Sequence, residues 1–332
     1  MKSENNLNSP HGLIVEVQRM STEDGPGIRT TAFFKGCSLK CIWCHNPECI
    51  SSKPQIHWIE SRCIGCKTCL DVCPKGALAF STGGISIHRE SCDNCGLCAE
   101  ACPSAAMELL GESWNHDDLI SELIKDKAYF ETSGGGVTLS GGDPTLQAPF
   151  AEILLKGLKK SGVQTAIDTC GVCAYGTLEK LLPHTDLVLY DIKEIDPQKH
   201  KRFTCQSNAK VFENLLCICK TMANHGYPKE LWIRTPIIPN TTATEDNIHG
   251  VGEFLSANVG ARVSRWELCA FNNLCKDKYQ RLGLDWVFKD SELLSESEME
   301  YLTEVARNTG VNPDIVHWSG STKIEEDGAG PN

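Results

Sequence analysis

"FFKGCSLKCIWCHNPEC", residues Phe33–Cys49, puts Cys37, Cys41 and Cys44 at C-x3-C-x2-C spacing directly after an apolar, strand-like run. Cys49 follows five residues later. A structural zinc site is closed by four ligands, and Cys49 is available as the fourth. Three thiolates alone leave one position open, as catalytic metals require. The stretch therefore reads either as a structural site or as a centre with a place kept for a ligand.

The surrounding chain alternates strands and helices. "GLIVEVQRM" (12–20) and "TTAFFKG" (30–36) read as strands separated by the Gly-Pro-Gly turn of "EDGPGIR". Downstream strands are expected at 136–144, 163–171, 186–196, 230–239 and, last, 262–273. Helices are expected at 116–131, 150–162, 176–184, 208–224, 245–258 and 295–310. This order implies an α/β fold with a parallel sheet, and about six units make a partial or full barrel. In such folds function gathers at the C-terminal ends of the strands. Cys37, Gly141-Gly142-Asp143, Asp168-Thr169, and Asp191 with Lys193 all fall there.

Residues 55–112 break the alternation, with eight cysteines and few large apolar residues. This reads as an inserted domain held by metal, splitting the barrel into 12–54 and 113–320. The polar termini, 1–11 and 321–332, are expected to be flexible. "CIGCKTCLDVCP" and "CDNCGLCAEACP" share the run C-x2-C-x2-C-x3-C-P, the pattern that binds two 4Fe-4S clusters in bacterial ferredoxins. There the fourth cysteine of each run ligates the other cluster. The expected sets are thus Cys63, Cys66, Cys69 and Cys102 for one cluster, and Cys73, Cys92, Cys95 and Cys98 for the other. A pair of zinc knuckles is the alternative. The clusters either relay electrons or staple a segment that has little core.

The 332-residue chain has 41% hydrophobic residues, enough for a packed core, and a net charge of -11, which opposes nonspecific nucleic-acid binding. It has no apolar run of roughly 18 residues and no signal-like start, so no membrane partner and a cytoplasmic location are expected. In a reducing compartment its nineteen cysteines are ligands, catalytic thiols or small buried residues rather than disulfides. Cys49 reads as a bystander. Cys170 and Cys173 read as small packed residues, with a redox pair as the alternative.

The C-x3-C-x2-C loop resembles the signature of the radical SAM superfamily, and "SGGDP" (140–144) resembles its glycine motif one strand later. "DGPGIRTTAFFKGC", "CIWCHNPE", "DTCG", "YDIK" and "PIIP", in this order, resemble the glycyl-radical-enzyme activating enzymes, in the form with a two-cluster insert. The resemblance runs from about residue 12 to 320. It implies a partial (β/α)6 TIM-like radical SAM barrel with an inserted ferredoxin-like domain. It also implies three 4Fe-4S clusters. Cys37, Cys41 and Cys44 would hold the open one, which chelates S-adenosylmethionine and reductively cleaves it to a 5′-deoxyadenosyl radical. Trp43 would lie near the adenine, and the His45 backbone near the adenosyl group. Gly142 and Asp143 would meet the methionine part, with Ile192 also in the ligand site, and Lys193 its carboxylate. Asp168, Thr169 and Asp191 would bind a monovalent cation. Where many members carry a histidine in a "PFH"-like stretch, this chain has "CAFNN", which offers Asn272 or Asn273. Arg234 either meets a carboxylate or caps the barrel.

The implied partner is a large glycyl radical enzyme whose glycine loop gives up a hydrogen under anaerobic conditions, with a flavodoxin or ferredoxin-type reductant. A monomer is expected, because the barrel mouth must admit that loop. Two alternatives are a radical SAM enzyme acting on a small molecule or another protein, and a ferredoxin-like carrier without catalysis.

Overall fold

A computed structural model describes residues 10–323; the rest of the two expected flexible termini lies outside the described residues. β1 (His11–Ser21) turns back antiparallel onto β2 (Arg29–Phe34), and the cysteine loop follows. The cysteine-rich segment holds β3 (Gln55–Trp58), α1 (Thr68–Asp71), β4 (Leu78–Ser81), β5 (Gly84–Ile87), α2 (Leu97–Glu100) and β6 (Met107–Leu110). Here β3 pairs only with β6, and β4 only with β5.

The chain returns to the large sheet with β7 (Glu112–Asn115), followed by α3 (His116–Leu123) and α4 (Lys127–Ser133). β8 (Gly136–Gly141), α5 (Ala148–Lys160), β9 (Thr165–Thr169), α6 (Tyr175–Leu181) and β10 (Leu187–Asp191) come next. Then come α7 (Pro197–Thr204), α8 (Ala209–His225), β11 (Glu230–Ile237), α9 (Glu245–Asn258) and β12 (Arg265–Ala270). α10 (Lys276–Leu282), α11 (Glu296–Arg307) and β13 (Val316–Ser319) complete the chain.

The large sheet runs β13-β12-β11-β10-β9-β8-β2-β1-β7. Neighbours from β2 to β13 are parallel, while β1 and β7 form an antiparallel edge. The two edge strands do not pair with each other, so the barrel is partial. Central strands are apolar and buried on both faces, as covered parallel strands must be. Val137, Leu139, Phe150 and Leu154 pack one half of the core, and Tyr190, Leu215, Ile233 and Trp266 the other. Besides its thiols, the packed cluster of the cysteine-rich segment consists of Ile56, Leu78, Ile85 and Met107, too little to order it by packing alone. No described helix is long and apolar enough to cross a membrane.

Three differences from the sequence reading have local causes. The strand at 265–270 is not the last, because β13 adds beside it. The expected flexible ends are tied in part: His11 pairs with Asn115, and the Lys323 amide donates to the Leu294 carbonyl at 2.9 Å. The single helix expected at 116–131 breaks around Asp126, whose carboxylate turns inward. It accepts from Thr30 Oγ1 at 2.8 Å and from Arg19 Nε at 2.7 Å, with Arg19 Nη2 on its other oxygen.

The Arg19 guanidinium outweighs burial and holds the Asp126 carboxyl below its usual range. Asp126→Ala leaves Thr30 and Arg19 without their acceptor. We expect a loss of about 1–3 kcal/mol in urea unfolding near neutral pH. Because the folded-state value is depressed, this contribution is present above about pH 4 and lost as pH falls through the folded value. The gap between wild type and variant should therefore close in acid; a constant gap would remove Asp126 from the argument.

Candidate active site

The cysteine loop leaves the sheet at the end of β2 and closes back on that point. Gly36 N donates to the Cys49 carbonyl at 2.7 Å, and Cys37 N to the Ile50 carbonyl at 3.0 Å. The glycine turn after β8 is stitched to the same root. Gly142 N donates to the Phe34 carbonyl and Asp143 N to the Gly36 carbonyl, each at 2.8 Å. Gly141 has φ +101°, and a Cβ on Gly142 would lie 2.1 Å from the Gly36 oxygen and 2.6 Å from the Cys49 oxygen. Neither position admits a side chain without moving backbone.

The loop's outer side is clamped by α10 and the residues after it. The Tyr279 hydroxyl donates to the Cys44 carbonyl at 2.8 Å, and Trp286 Nε1 to the Ile42 carbonyl at 3.1 Å. Lys278 Nζ reaches Asn46 Oδ1 at 2.8 Å and Glu48 Oε1 at 2.6 Å. Behind the loop the buried Lys35 ammonium donates to the Glu48 carbonyl at 2.6 Å and to Gln55 Oε1 at 3.0 Å; burial pulls it down to about 8.

Cys37, Cys41 and Cys44 line a cavity of about 450 Å³ at the C-terminal ends of the parallel strands. Trp43, His45, Gly142, Asp168, Thr169, Asp191, Lys193 and Asn272 share its wall, with Arg234 and Cys170. Asn273 turns away and donates to the Ser291 carbonyl. Two expected residues are absent from the wall. Ile192 is fully buried in the core. Asp143 is fully buried beneath the glycines, and its oxygens accept from Thr145 N and Oγ1, Thr169 Oγ1, Cys170 N and Cys170 Sγ, at 2.6–3.2 Å. Its carboxylate is used up bracing β8 against β9 and is not aimed at a ligand. Cys49 is buried off the cavity, and its backbone rather than its thiol does the work. Cys173 lies outside the wall, against Asn214, so only Cys170 of that pair faces the site.

Charges inside the cavity are matched. Lys193 Nζ lies 2.7 Å from Asp191 Oδ2, and Arg234 Nη1 lies 3.4 Å from Asp168 Oδ2. Burial opposes the Lys193 ammonium, but Asp191 and the thiols around it hold its pKa well up. Burial pushes Asp168 up to about 7, against the pull of Arg234 and with the help of Asp191. The Thr169 hydroxyl donates to Asp143 and accepts from Gly171 N at 3.0 Å, so it faces away from these carboxylates.

In the cysteine-rich segment, one void is walled by Cys63, Cys66, Cys69 and Cys102, and a second by Cys73, Cys92, Cys95 and Cys98. The fourth cysteine of each run has crossed to the other's group. Backbone amides point at the crossing sulfurs: Ala77 N to Cys73 Sγ at 3.3 Å, and Ala106 N to Cys102 Sγ at 3.2 Å. Such donors favour thiolate over thiol.

The donor set fits iron–sulfur centres. Burial pushes the Cys41 thiol up to about 12 and Cys44 up as well, so these sulfurs ionise only against a bound cationic centre. The Cys170 thiol beside Cys37 pulls Cys37 down and is itself pushed up. The buried His45 Nε2 has no partner, a polar atom in a cavity built to hold something.

A family model for a 4Fe-4S dicluster domain matches residues 62–107, and one for the radical SAM superfamily matches residues 97–249. The three-cysteine loop precedes the second span, separated from it by the insertion. A (2S)-3-sulfopropanediol dehydratase activating enzyme of Klebsiella oxytoca is 36% identical over 90% of this chain and 94% of its own. The chain belongs to the activating enzymes of glycyl radical enzymes. A trans-4-hydroxy-L-proline dehydratase activating enzyme of Clostridioides difficile is 35% identical over 91% of this chain and 98% of its own. A radical SAM methyltransferase structure from Sphaerobacter thermophilus shares the fold at 9% identity, with TM-score 0.50 over 90% of this chain and 75% of that one.

Sequence reasoning missed the α10 clamp of this activating enzyme. The signal was there, because Tyr279, Leu282 and Trp286 recur at helical spacing in a stretch left unassigned. It missed Lys35 because a lone lysine at a strand end reads as exposed.

The close approach at Gly142 generates a direct test. Gly142→Ala should displace the loop root and abolish the S-adenosylmethionine-sensitive electron paramagnetic resonance signal, while the other cluster signals persist. An unchanged signal would show that the root tolerates a Cβ.

Proposed function

We propose that this chain carries three 4Fe-4S clusters and installs the radical on a partner glycyl radical enzyme, working as a cytoplasmic monomer fed by a flavodoxin or ferredoxin-type reductant. One observation carries the reading: three cysteines of one loop face a cavity that also holds matched ionic groups at the strand ends. Cys37, Cys41 and Cys44 would hold the open cluster, and the two crossed sets of the insertion the others. When bound there, the open cluster would supply the one electron that breaks the S–C5′ bond of S-adenosylmethionine, giving methionine and the 5′-deoxyadenosyl radical that would take a hydrogen from the partner's glycine and become 5′-deoxyadenosine.

The chain's own residues bind and orient. Lys193 faces the ligand carboxylate and shares its protons with Asp191. The glycine turn lets backbone, rather than the Asp143 carboxylate, approach the methionine part. Trp43 and Phe271 flank the loop as apolar walls, and His45 and Asn272 offer polar atoms to the adenosyl part. Asp168 and Asp191 are the proposed carboxylate ligands of a monovalent cation, without the Thr169 hydroxyl. A small cation there would offset both the burial and the Asp191 repulsion that raise Asp168. Cysteines used as cluster ligands and small buried residues suit a reducing compartment. The two relatives named above differ in the partner they activate at nearly equal identity, so the partner is set here only as a class.

Anaerobically reconstituted protein with reductant and S-adenosylmethionine should release 5′-deoxyadenosine, and Cys41→Ala should release none while keeping the insertion's clusters. Lys193→Ala should weaken S-adenosylmethionine binding about tenfold to a hundredfold, the range for losing a charge-assisted hydrogen bond. Mixed with its partner, the wild type should generate a glycyl radical doublet. Intact clusters with no 5′-deoxyadenosine would sink the reading.

A further inference from the structure

The two cysteine sets of the insertion are not equivalent, and the β3–β6 ribbon ranks them. Its root is Gln55 opposite Leu110, where Gln55 holds the buried Lys35 at the end of β2. Its tip is Trp58 opposite Met107. Ile56, next to the root, walls the void of Cys73, Cys92, Cys95 and Cys98. Trp58 and Met107, at the tip, wall the void of Cys63, Cys66, Cys69 and Cys102. With a rise of about 3.4 Å per residue, the ribbon walls of the two voids stand roughly 7 Å apart along the strand.

The root-side set is also linked to the catalytic loop through α10 by a chain of hydrogen bonds. Asn94, between Cys92 and Cys95, accepts the Ile56 amide on Oδ1 at 3.1 Å. Arg89 donates from Nη1 to the Ile56 carbonyl and from Nη2, at 3.0 Å, to the carbonyl of Leu282 on α10. Three residues earlier on α10, Tyr279 holds the Cys44 carbonyl. Tyr279 and Trp286 stack at 5.0 Å with an interplanar angle of 11°, and Trp286 holds the Ile42 carbonyl. No hydrogen bond of this kind joins the tip-side set to the loop among the described residues.

We propose that Arg89 and α10 form a docking clamp that fixes the set Cys73, Cys92, Cys95 and Cys98 as the inner set, beside the Cys44 side of the catalytic loop. The set Cys63, Cys66, Cys69 and Cys102 is the outer one, where an external one-electron carrier delivers. This rests on the reading that all three sets hold clusters. One electron would leave the carrier, which departs oxidised by one electron, and would end in cleavage of the S–C5′ bond of bound S-adenosylmethionine to methionine and the 5′-deoxyadenosyl radical, with all three centres returned to their starting charge. Arg89 is a positioning residue: its guanidinium donates to two backbone carbonyls, and it lies in the field of Cys92 without being a ligand.

The test uses the reconstituted full chain and reads spin relaxation instead of turnover. The signal that shifts on adding S-adenosylmethionine identifies the Cys37–Cys41–Cys44 centre. In the wild type this signal should relax fast through a neighbouring paramagnet. Cys95→Ala should slow its relaxation severalfold, and Cys66→Ala should leave it as in the wild type. Arg89→Gln, which removes no ligand, should keep the wild-type iron content, slow the relaxation, and slow reduction of this centre by a reduced flavodoxin tenfold or more. The reverse ranking of the two cysteine variants, or wild-type relaxation and reduction in Arg89→Gln, would overturn the proposal. Absence of any S-adenosylmethionine-sensitive signal in the wild type overturns the cluster reading beneath it, a different failure.

Discussion

The structure depends on closing one loop at its root. A strand that ends in a parallel sheet normally continues into a crossover helix. Here β2 instead sends out a loop that must hold three sulfurs in a buried wall and come back to the same place. Two backbone hydrogen bonds close it, Gly36 to Cys49 and Cys37 to Ile50. β8 then ends in glycines because its turn passes directly under that closure. Asp143 follows as the buried acceptor that ties the turn to Thr169 and Cys170 on the next strand. One geometric demand on a loop thus dictates residue choices on three adjacent strands.

Electrostatics makes a second demand on the same wall. Asp168, Asp191, Lys193 and Arg234 crowd one cavity, and unpaired charge there would be costly. Each ammonium or guanidinium is matched to a carboxylate in the same wall. The pairs share a wall with atoms that have no partner, His45 Nε2 among them. A zwitterionic sulfonium ligand offers complementary groups to both kinds, so the ionic pairs preorganise the cavity and need not be built on binding.

Much of this was legible in the sequence, because it lives in local patterns. β8 to β12 announce themselves by short apolar runs, and α5, α8, α9 and α11 by helical periodicity. The crossed cysteine sets follow from spacing alone. What was not legible depends on contacts distant in sequence. β7 and β13 have four residues each, too short a run to read as strands. The "GGD" carboxylate looks like a ligand in one dimension. Only the approach of Thr169 and Cys170 shows that its acceptor capacity is spent. Residues 274–290 carry helix signals, but their purpose, gripping the cysteine loop from more than two hundred residues away, exists only once the barrel has formed.

The insertion's place in the chain then has a physical reason. It begins five residues after the loop root closes at Ile50 and ends one residue before β7 adds to the sheet edge. Both ends are therefore anchored to rigid strands, and Lys35 joins them to β2 by reaching Glu48 and Gln55 together. A segment with so few apolar residues cannot set its own orientation by burying surface. Its orientation must come from a few directional contacts at its base, and those contacts are the ones Arg89 makes to Leu282 and Lys35 to Gln55. The same poverty of core that makes the insertion depend on its metal centres makes its alignment with the catalytic loop depend on hydrogen bonds. Changes at its base should therefore alter communication between the centres before they alter folding.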